Sequence, residues 1–282
     1  MKIHHLNCTS FNLRFAKIFD GQRNVFDGSL SCVTHCVLVE SNNVGLVLVD
    51  AGFSIQDSAN PRQVPFVFHF IFRPPWKADE TAITNIKKLG YSPRDVRHVL
   101  LTHLDYDHAN GLIDFPWATA HVYDLELKSA LSGKSIQDLL RYNRKRLKRH
   151  DKWEVYNINI GDSWYGLNKV FPIKGLDNDF AIVPLIGHSA GHAGISIRTD
   201  NGWLLHAGDA YMMHAELQAS PIGPSHSGLF HSIIKDNGRL RKESLGRLST
   251  LYQKYGNDVN IFSAHDKEEF ENMINAENIS SK

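Results

Sequence analysis

Residues 102–111 read Thr-His-Leu-Asp-Tyr-Asp-His-Ala-Asn-Gly and follow directly on the apolar run that begins at Val96. His103, Asp105, Asp107 and His108 put four metal-competent side chains within six residues. Val96–Thr102 has the composition of a strand, and in open α/β folds ligands bind at the carboxyl ends of strands. On an extended end, His103 and Asp105 share a face. Asp107 and His108 come after the chain turns and approach from another side, so one segment can serve two neighbouring metals. Leu101, Leu104 and Ala109 imply partial burial, where an ungrouped His or Asp would be costly.

Three later positions repeat this placement. His188 follows the predicted strand Phe180–Ile186, Asp209 follows Trp203–His206, and His265 follows Val259–Ser263. Upstream, Thr34–Glu40 and Gly45–Asp50 read as a hairpin joined by Ser-Asn-Asn-Val, and its second strand ends at Asp50-Ala-Gly. Asp79–Leu89 reads as a helix, with Asp79 as N-cap and Gly90 as its stop. Ala118–Val122 and Gly194–Arg198 read as strands, and Asp124–Arg149 as one or two helices. Arg239–Tyr255 and Asp266–Asn275 read as helices. This alternation predicts an α/β architecture, and no Pro/Gly/Ser-rich linker divides residues 1–282, so a single domain is expected. An aromatic insertion stands out around residues 60–77, with Pro-Phe-Val-Phe-His-Phe-Ile-Phe-Arg-Pro-Pro-Trp spanning Pro65 to Trp76. It reads either as a buried strand or short helix, or as an apolar lid or dimer contact beside a pocket.

Composition narrows the function classes. Lys+Arg 31 against Asp+Glu 30 leaves a net charge of +1, which gives no general attraction to nucleic acid or acidic membranes. The stretch Arg141–Arg149 holds six basic residues in nine and is expected to be a solvated helix with Tyr142 and Leu147 inward. No apolar run approaches membrane-spanning length, and the first residues lack a signal-peptide core, so a cytoplasmic protein is expected. Cys8, Cys32 and Cys36 are too few and wrongly spaced for a disulfide framework or a Cys-rich zinc site; Cys32 and Cys36 read as strand-core residues. If some of the 16 His bind metal, the other ligands must be carboxylates. His192, His206 and His214 lie near the candidate positions. His4, His5, His35, His69, His98, His121, His150, His226 and His231 show no grouping.

Taken together, Asp50, the His103/Asp105/Asp107/His108 segment, His188, Asp209 and His265 resemble the metallo-β-lactamase superfamily pattern: a strand-end Asp, HxHxDH, then His, Asp and His at later strand ends. The resemblance spans residues 34–266. It implies an αββα sandwich, in which two mixed β-sheets pack face to face with helices outside and a two-metal site lies at one edge. It also implies that one metal is held by His103, Asp105 and His188, the other by Asp107, His108 and His265, with Asp209 bridging. Asp50 would fix the ring orientation of a ligating His from outside the coordination set.

One position departs from the commonest form, since Asp105 stands where HxHxDH has its second His. Two divalent ions set against Asp107, Asp209 and a bridging hydroxide leave a charge of +1, and Asp105 would bring it to zero. A carboxylate is also a harder ligand than imidazole. Two divalent ions are therefore expected, Zn²⁺ first, with preference moved towards Mn²⁺ or Fe.

Such a centre implies hydrolysis by a metal-bridging hydroxide, with Asp107 moving the proton to the leaving group and Tyr211 as a candidate oxyanion donor. Among branches, the THLDYDHANGL segment is most similar to the N-acyl-homoserine lactonases, which implies a small lactone or ester substrate with an acyl chain. Thioester or phosphodiester hydrolysis is the alternative. A degenerate metal-binding sensor is the non-enzyme alternative. Neither a nucleic acid nor a membrane partner is expected, and a homodimer is compatible with the aromatic segment.

Overall fold

The computed structural model describes residues 1–14, 30–41, 43–133, 136–157, 161–176, 178–218 and 237–280. Asn42 of the hairpin turn, His226 and His231 lie outside the described residues. Six strands form one sheet: β1 (Lys2–Leu13), β2 (Leu30–Ser41), β3 (Gly45–Val49), β4 (Val96–Leu100), β5 (Thr119–Tyr123) and β6 (Trp153–Tyr156), adjacent in that order. The second sheet holds β7 (Asp162–Trp164), β8 (Leu167–Pro172), β9 (Phe180–Pro184), β10 (Ala193–Thr199), β11 (Gly202–His206) and β12 (Val259–Phe262), with β12 and β7 at its edges.

Both sheets are mixed. The β1–β2–β3 meander is antiparallel, whereas β3 to β6 run parallel. In the second sheet only β11 and β12 pair in parallel.

The strands are apolar on both faces because both faces are covered. In β2, Val37 and Val39 point to the layer between the sheets, where they meet Phe180, Ile182 and Ile195. Cys36 and Leu38 point outward under helix α3 (Ala82–Lys88) and helix α5 (Asp124–Ser132), with Ile86 and Ala130 in contact range of the same cluster. Leu205 and Val183 point to the opposite outer face, covered by Leu248 and Leu251 of helix α9 (Gly238–Tyr255). Each such fully buried Val, Leu or Ile contributes roughly 1.5–3 kcal/mol. The layers are helix, sheet, sheet, helix, which is the αββα sandwich the resemblance implied. Cys8, Cys32 and Cys36 are free and buried.

Strand direction brings the candidate residues together. β9 and β11 are each antiparallel to β10, and β12 is parallel to β11, so these three strands point the same way. Their carboxyl ends, and those of β3 and β4, therefore lead into the loops that carry His188, Asp209, His265, Asp50 and the 103–108 segment. The two edges are tied by Ala193 N–H donating to the Thr102 carbonyl (2.9 Å) and His35 N–H to the Ala264 carbonyl (2.8 Å).

Some local expectations need correction. The helix expected over Asp79–Leu89 starts after Thr81, because Asp79 sits in a separate 3₁₀ turn, Ala78–Glu80. Gly90 ends it as expected: at φ +85°, with Gly90 N–H on the Lys87 carbonyl and Tyr91 N–H on that of Ile86. The 124–149 region holds three helices, α5, α6 (Ile136–Arg141) and α7 (Arg144–Leu147). Tyr142 and Leu147 are buried, but so are Arg141 and Arg146, so this segment is not one solvated helix. Arg146 donates to Asp57 (2.7 Å), whose same oxygen caps helix α1 (Ile55–Ala59) through Ser54 and accepts from Asn110. The aromatic segment is a short helix, α2 (Phe66–Phe72), with Phe68 buried and Phe66 79% exposed.

Candidate metal centre

At the shared edge, the 103–108 segment leaves β4 and turns into helix α4 (Tyr106–Ala109), and Asp105 is its N-cap residue. The turn is held close by Ala51 N–H on the His108 carbonyl (2.8 Å) and Gly111 N–H on that of Gly52 (2.7 Å). A Cβ at Gly111 would run into the Ala51 carbonyl, so this position needs glycine.

The structure brings all seven proposed ligands together. His103, Asp105 and His188 form one group of ligand atoms, and Asp107, His108 and His265 form another. Asp209 lies between them. Its Oδ1 is 3.3 Å from His108 Nε2, and its Oδ2 is 3.1 Å from His265 Nε2, 3.5 Å from His188 Nε2 and 3.9 Å from His103 Nε2. Within the first group, Asp105 Oδ2 is 3.5 Å from His103 Nε2 and 3.2 Å from His188 Nε2. Within the second, Asp107 Oδ2 is 3.7 Å from His108 Nε2 and 3.6 Å from His265 Nε2.

These spacings are what a divalent ion needs. Tetrahedral bonds of about 2.0–2.1 Å separate neighbouring donor atoms by about 3.3 Å. Moreover, His103 Nε2 and Asp209 Oδ1 are buried without a hydrogen-bond partner, an arrangement that is costly unless something else binds them. The donor set therefore fits two metal ions.

The far side of three of the four rings is committed elsewhere. His108 Nδ1 donates to Asp50 Oδ2 (2.8 Å), and His265 Nδ1 donates to the Val33 carbonyl (2.8 Å). His103 Nδ1 donates to Thr102 Oγ1 (3.0 Å), whose hydroxyl donates in turn to Asp50 Oδ2 (2.8 Å). Asp50 thus orients two rings, one directly and one through Thr102. It does so with its backbone at φ +54°, a strained conformation that Asp tolerates better than most residues. Each Nδ1–H donor leaves Nε2 as the free lone pair facing the centre.

Electrostatics follow from the grouping. Burial pushes the Asp209 carboxyl up, but His265, His108, His103 and His188 together hold it well below the usual carboxylate range. Burial pushes His108 down, but Asp209, Asp107 and Asp50 raise it well above its ordinary value. Asp107 is raised, by burial first and by Asp209 and Asp105 next. Burial and then Arg141 lower His188 to about 3.

Tyr211 is not brought to the centre. It is fully buried, its hydroxyl donates to Glu269 (2.9 and 3.1 Å), and it does not line the cavity beside the metal ligands. The spacing from Asp209 placed it near in sequence, but Ala210–Tyr211 turns into the core under helix α9. His192, near His188 in sequence, accepts the Asp209 N–H at Nε2 (2.9 Å) while Nδ1 donates to the Leu185 carbonyl, so it fixes the backbone of the shared ligand. His206 is spent on the His35 carbonyl, and His214 on Glu269.

Three residues escaped the sequence reading. Arg141 grips Asp105 with Nε and Nη2. Glu126, fully buried, accepts from Leu104 N–H and from Ser189 and Gly191, tying the two ligand loops together. Tyr106 lines the cavity. Only Tyr106 carried a signal, its place between Asp105 and Asp107.

That cavity has a volume of about 130 Å³ and ends on Asp105, Asp107, His188, Asp209 and His265. Its walls are apolar: Val67, Phe68, Ile71 and Phe72 of α2, with Leu140 and Met212. The aromatic helix therefore stands at the candidate metal site.

Comparison with known proteins agrees with this geometry. The sequence profile of the metallo-beta-lactamase superfamily matches residues 31–245. A probable metallo-hydrolase of Mycobacterium tuberculosis is 34% identical over 266 residues, covering 94% of this chain and 80% of that protein. The N-acyl homoserine lactonase AttM of Azorhizobium caulinodans is 26% identical over 259 residues, covering 85% of this chain and 90% of its own. Among solved structures, an N-acyl homoserine lactone hydrolase with the product N-hexanoyl-L-homoserine bound at its catalytic metal centre superposes with a TM-score of 0.72. It is 19% identical and covers 96% of this chain and 95% of its own. The order of the ligands, the fold that gathers them and these matches agree: the chain belongs to the metallo-β-lactamase superfamily and is a metal-dependent hydrolase.

Proposed function

We propose that this hydrolase works with a two-metal centre on a small lactone or ester carrying an acyl chain. The observation that carries the reading is Asp209 shared between two donor triads at the floor of a narrow apolar cavity. His103, Asp105 and His188 would hold one ion, Asp107, His108 and His265 the other, and Asp209 both. Zn²⁺ is the first candidate for a set of imidazoles and carboxylates. Two such ions, when bound, supply Lewis acidity and an activated water.

The chain's own residues do the rest. The α2 aromatics with Leu140 and Met212 exclude water and receive an apolar substituent. Asp107 faces both the cavity and the second triad, and its carboxyl is raised by burial and by Asp209 and Asp105. It is the group placed to carry a proton to the leaving oxygen. The N-acyl homoserine lactonases among the relatives support a lactone as substrate. A small molecule is favoured over a nucleic acid by the narrow apolar cavity and by the burial of Arg141 and Arg146 in ion pairs.

A pH-stat assay of zinc-loaded protein against lactones of short and long acyl chain, simple esters, thioesters and phosphodiesters tests this. Ring opening of lactones, fastest with an acyl chain, is the expected result. Cleavage confined to thioesters or phosphodiesters, or no lactone opening at all, would overturn the substrate reading. In the same assay Asp107→Asn should lose on the order of 100-fold or more in turnover, and full activity in a folded variant would remove its proton role.

A further inference from the structure

Asp105 is the one proposed ligand that departs from the commoner HxHxDH form, and the structure pairs its side chain with an arginine, Arg141. Arg141, the last residue of α6, is only 9% exposed and forks onto the carboxylate. Its Nε donates to Oδ1 at 2.9 Å and its Nη2 to Oδ2 at 2.7 Å. Its remaining nitrogen, Nη1, donates to the His188 carbonyl at 2.7 Å. One guanidinium therefore holds two segments that carry proposed ligands. The backbone is registered as well, since Tyr142 forms a bridge with Asp105.

Orientation matters as much as contact. Asp105 Oδ2 is the oxygen that lies 3.2 Å from His188 Nε2 and 3.5 Å from His103 Nε2, while Oδ1 is turned to the arginine. Oδ2 is thus shared between the donor triad and Arg141 Nη2, while Oδ1 faces Arg141 Nε, so the guanidinium fixes which oxygen is turned to the triad. Charge points the same way. Relative to a neutral imidazole, Asp105 adds one negative charge to the centre, and the fixed charge of Arg141 restores it. A lysine could match the charge but not the fork.

We propose that Asp105 and Arg141 act as one unit, a neutral substitute for the missing histidine, with Arg141 as a positioning residue that sets both the orientation and the charge of this donor. The inference rests on the two-metal reading above. It removes the charge argument for a shift from Zn²⁺ towards Mn²⁺ or Fe and leaves only the hardness of the carboxylate oxygen.

A double-variant cycle tests it, with zinc affinity and stoichiometry read by titrating metal-free protein against a chromophoric chelator, and melting followed with and without zinc. Asp105→His alone removes the carboxylate onto which Arg141 forks and leaves its positive charge uncompensated beside the ions, so it should weaken zinc binding roughly 10–100-fold, whereas Asp105→His with Arg141→Met should return to within about threefold of wild type. Asp105→His with Arg141→Lys should stay weak, because the cation remains. If Asp105→His alone does not fold, recovery of folded yield and melting temperature in the double variant supports the same coupling. The proposal is overturned if Asp105→His alone binds zinc as wild type does, or if adding Arg141→Met recovers neither binding nor folded yield. Wild type that binds fewer than two zinc ions would instead count against the two-metal reading itself.

Discussion

Two groups of buried histidines sit in this molecule, and they are used in opposite ways. At the candidate metal centre, His103, His108 and His265 each donate Nδ1 to an oxygen outside the proposed ligand set, and their Nε2 atoms converge on Asp209. In a second set, His5, His35, His98 and His121, the rings are spent on neutral partners. His5 Nδ1 meets His35 Nε2 at 2.7 Å, and His98 Nδ1 meets His121 Nε2 at 2.9 Å. His121 Nδ1 meets the Tyr156 hydroxyl at 2.8 Å. Burial then lowers His5 to about 4 and His121 to about 3, whereas the carboxylates of the centre raise His108 and His265. Burial alone does not mark a ligand. The carboxylate in front does, joined in three of the four rings by a fixed acceptor behind.

Removing the shared carboxylate should separate the two groups most sharply. Asp209→Asn is expected to hold fewer than one metal ion per chain and to lose roughly 100-fold or more in turnover, since metal Lewis acidity is worth several kcal/mol. His35→Gln should keep the wild-type metal content. Elemental analysis of both would break the comparison if the two lost metal alike.

The acceptor behind the rings comes next. Asp50→Asn should weaken zinc binding about 10–100-fold, because outer hydrogen bonds set ring orientation and basicity. Unchanged affinity in a competition titration would show that the Asp50–His108 contact is not what orients the ligand.

Tyr211→Phe sharpens the boundary of the site. The lost hydrogen bond to Glu269 should cost about 1.5–3 kcal/mol in urea unfolding, while turnover stays within about twofold. A large fall in turnover would put the hydroxyl back in the reaction.

At neutral pH the smallest effect belongs to the neutral pairs, which act only as the pH falls. A histidine held at about 3 when folded, against 6.5 free, keeps its full stability contribution above pH 6.5 and loses it as pH falls towards 3. His121→Gln should therefore flatten the decline of stability between pH 6.5 and 4 by about one proton, or about 1.4 kcal/mol per pH unit. Parallel unfolding curves for variant and wild type across that range would mean that His121 is already protonated in the folded chain.

Much of this was legible in the sequence, and the parts that were not have physical reasons. The residues that the fold gathers as candidate ligands stand out in the sequence because each lies just past an apolar strand, where topology gathers strand ends. β1 was missed because its apolar residues fall out of step: Leu6 and Cys8 keep one alternation, Phe11 and Leu13 the other, with a register shift between Asn7 and Ser10. β7 was missed because it is short and largely exposed. Arg141 and Glu126 look like solvent-facing helix residues in sequence, and only the fold shows that each is buried against a ligand loop. Tyr211 erred the other way, since nearness to Asp209 along the chain says nothing of the direction in which its side chain leaves.

The central claim is a two-metal centre built around Asp209. The most direct test is the metal content of the purified chain after zinc loading and removal of excess ion, measured beside Asp209→Asn. About two ions per wild-type chain and fewer than one in the variant are predicted for a bridged site. Wild type holding only one ion or none, or a variant that still holds two, would contradict it.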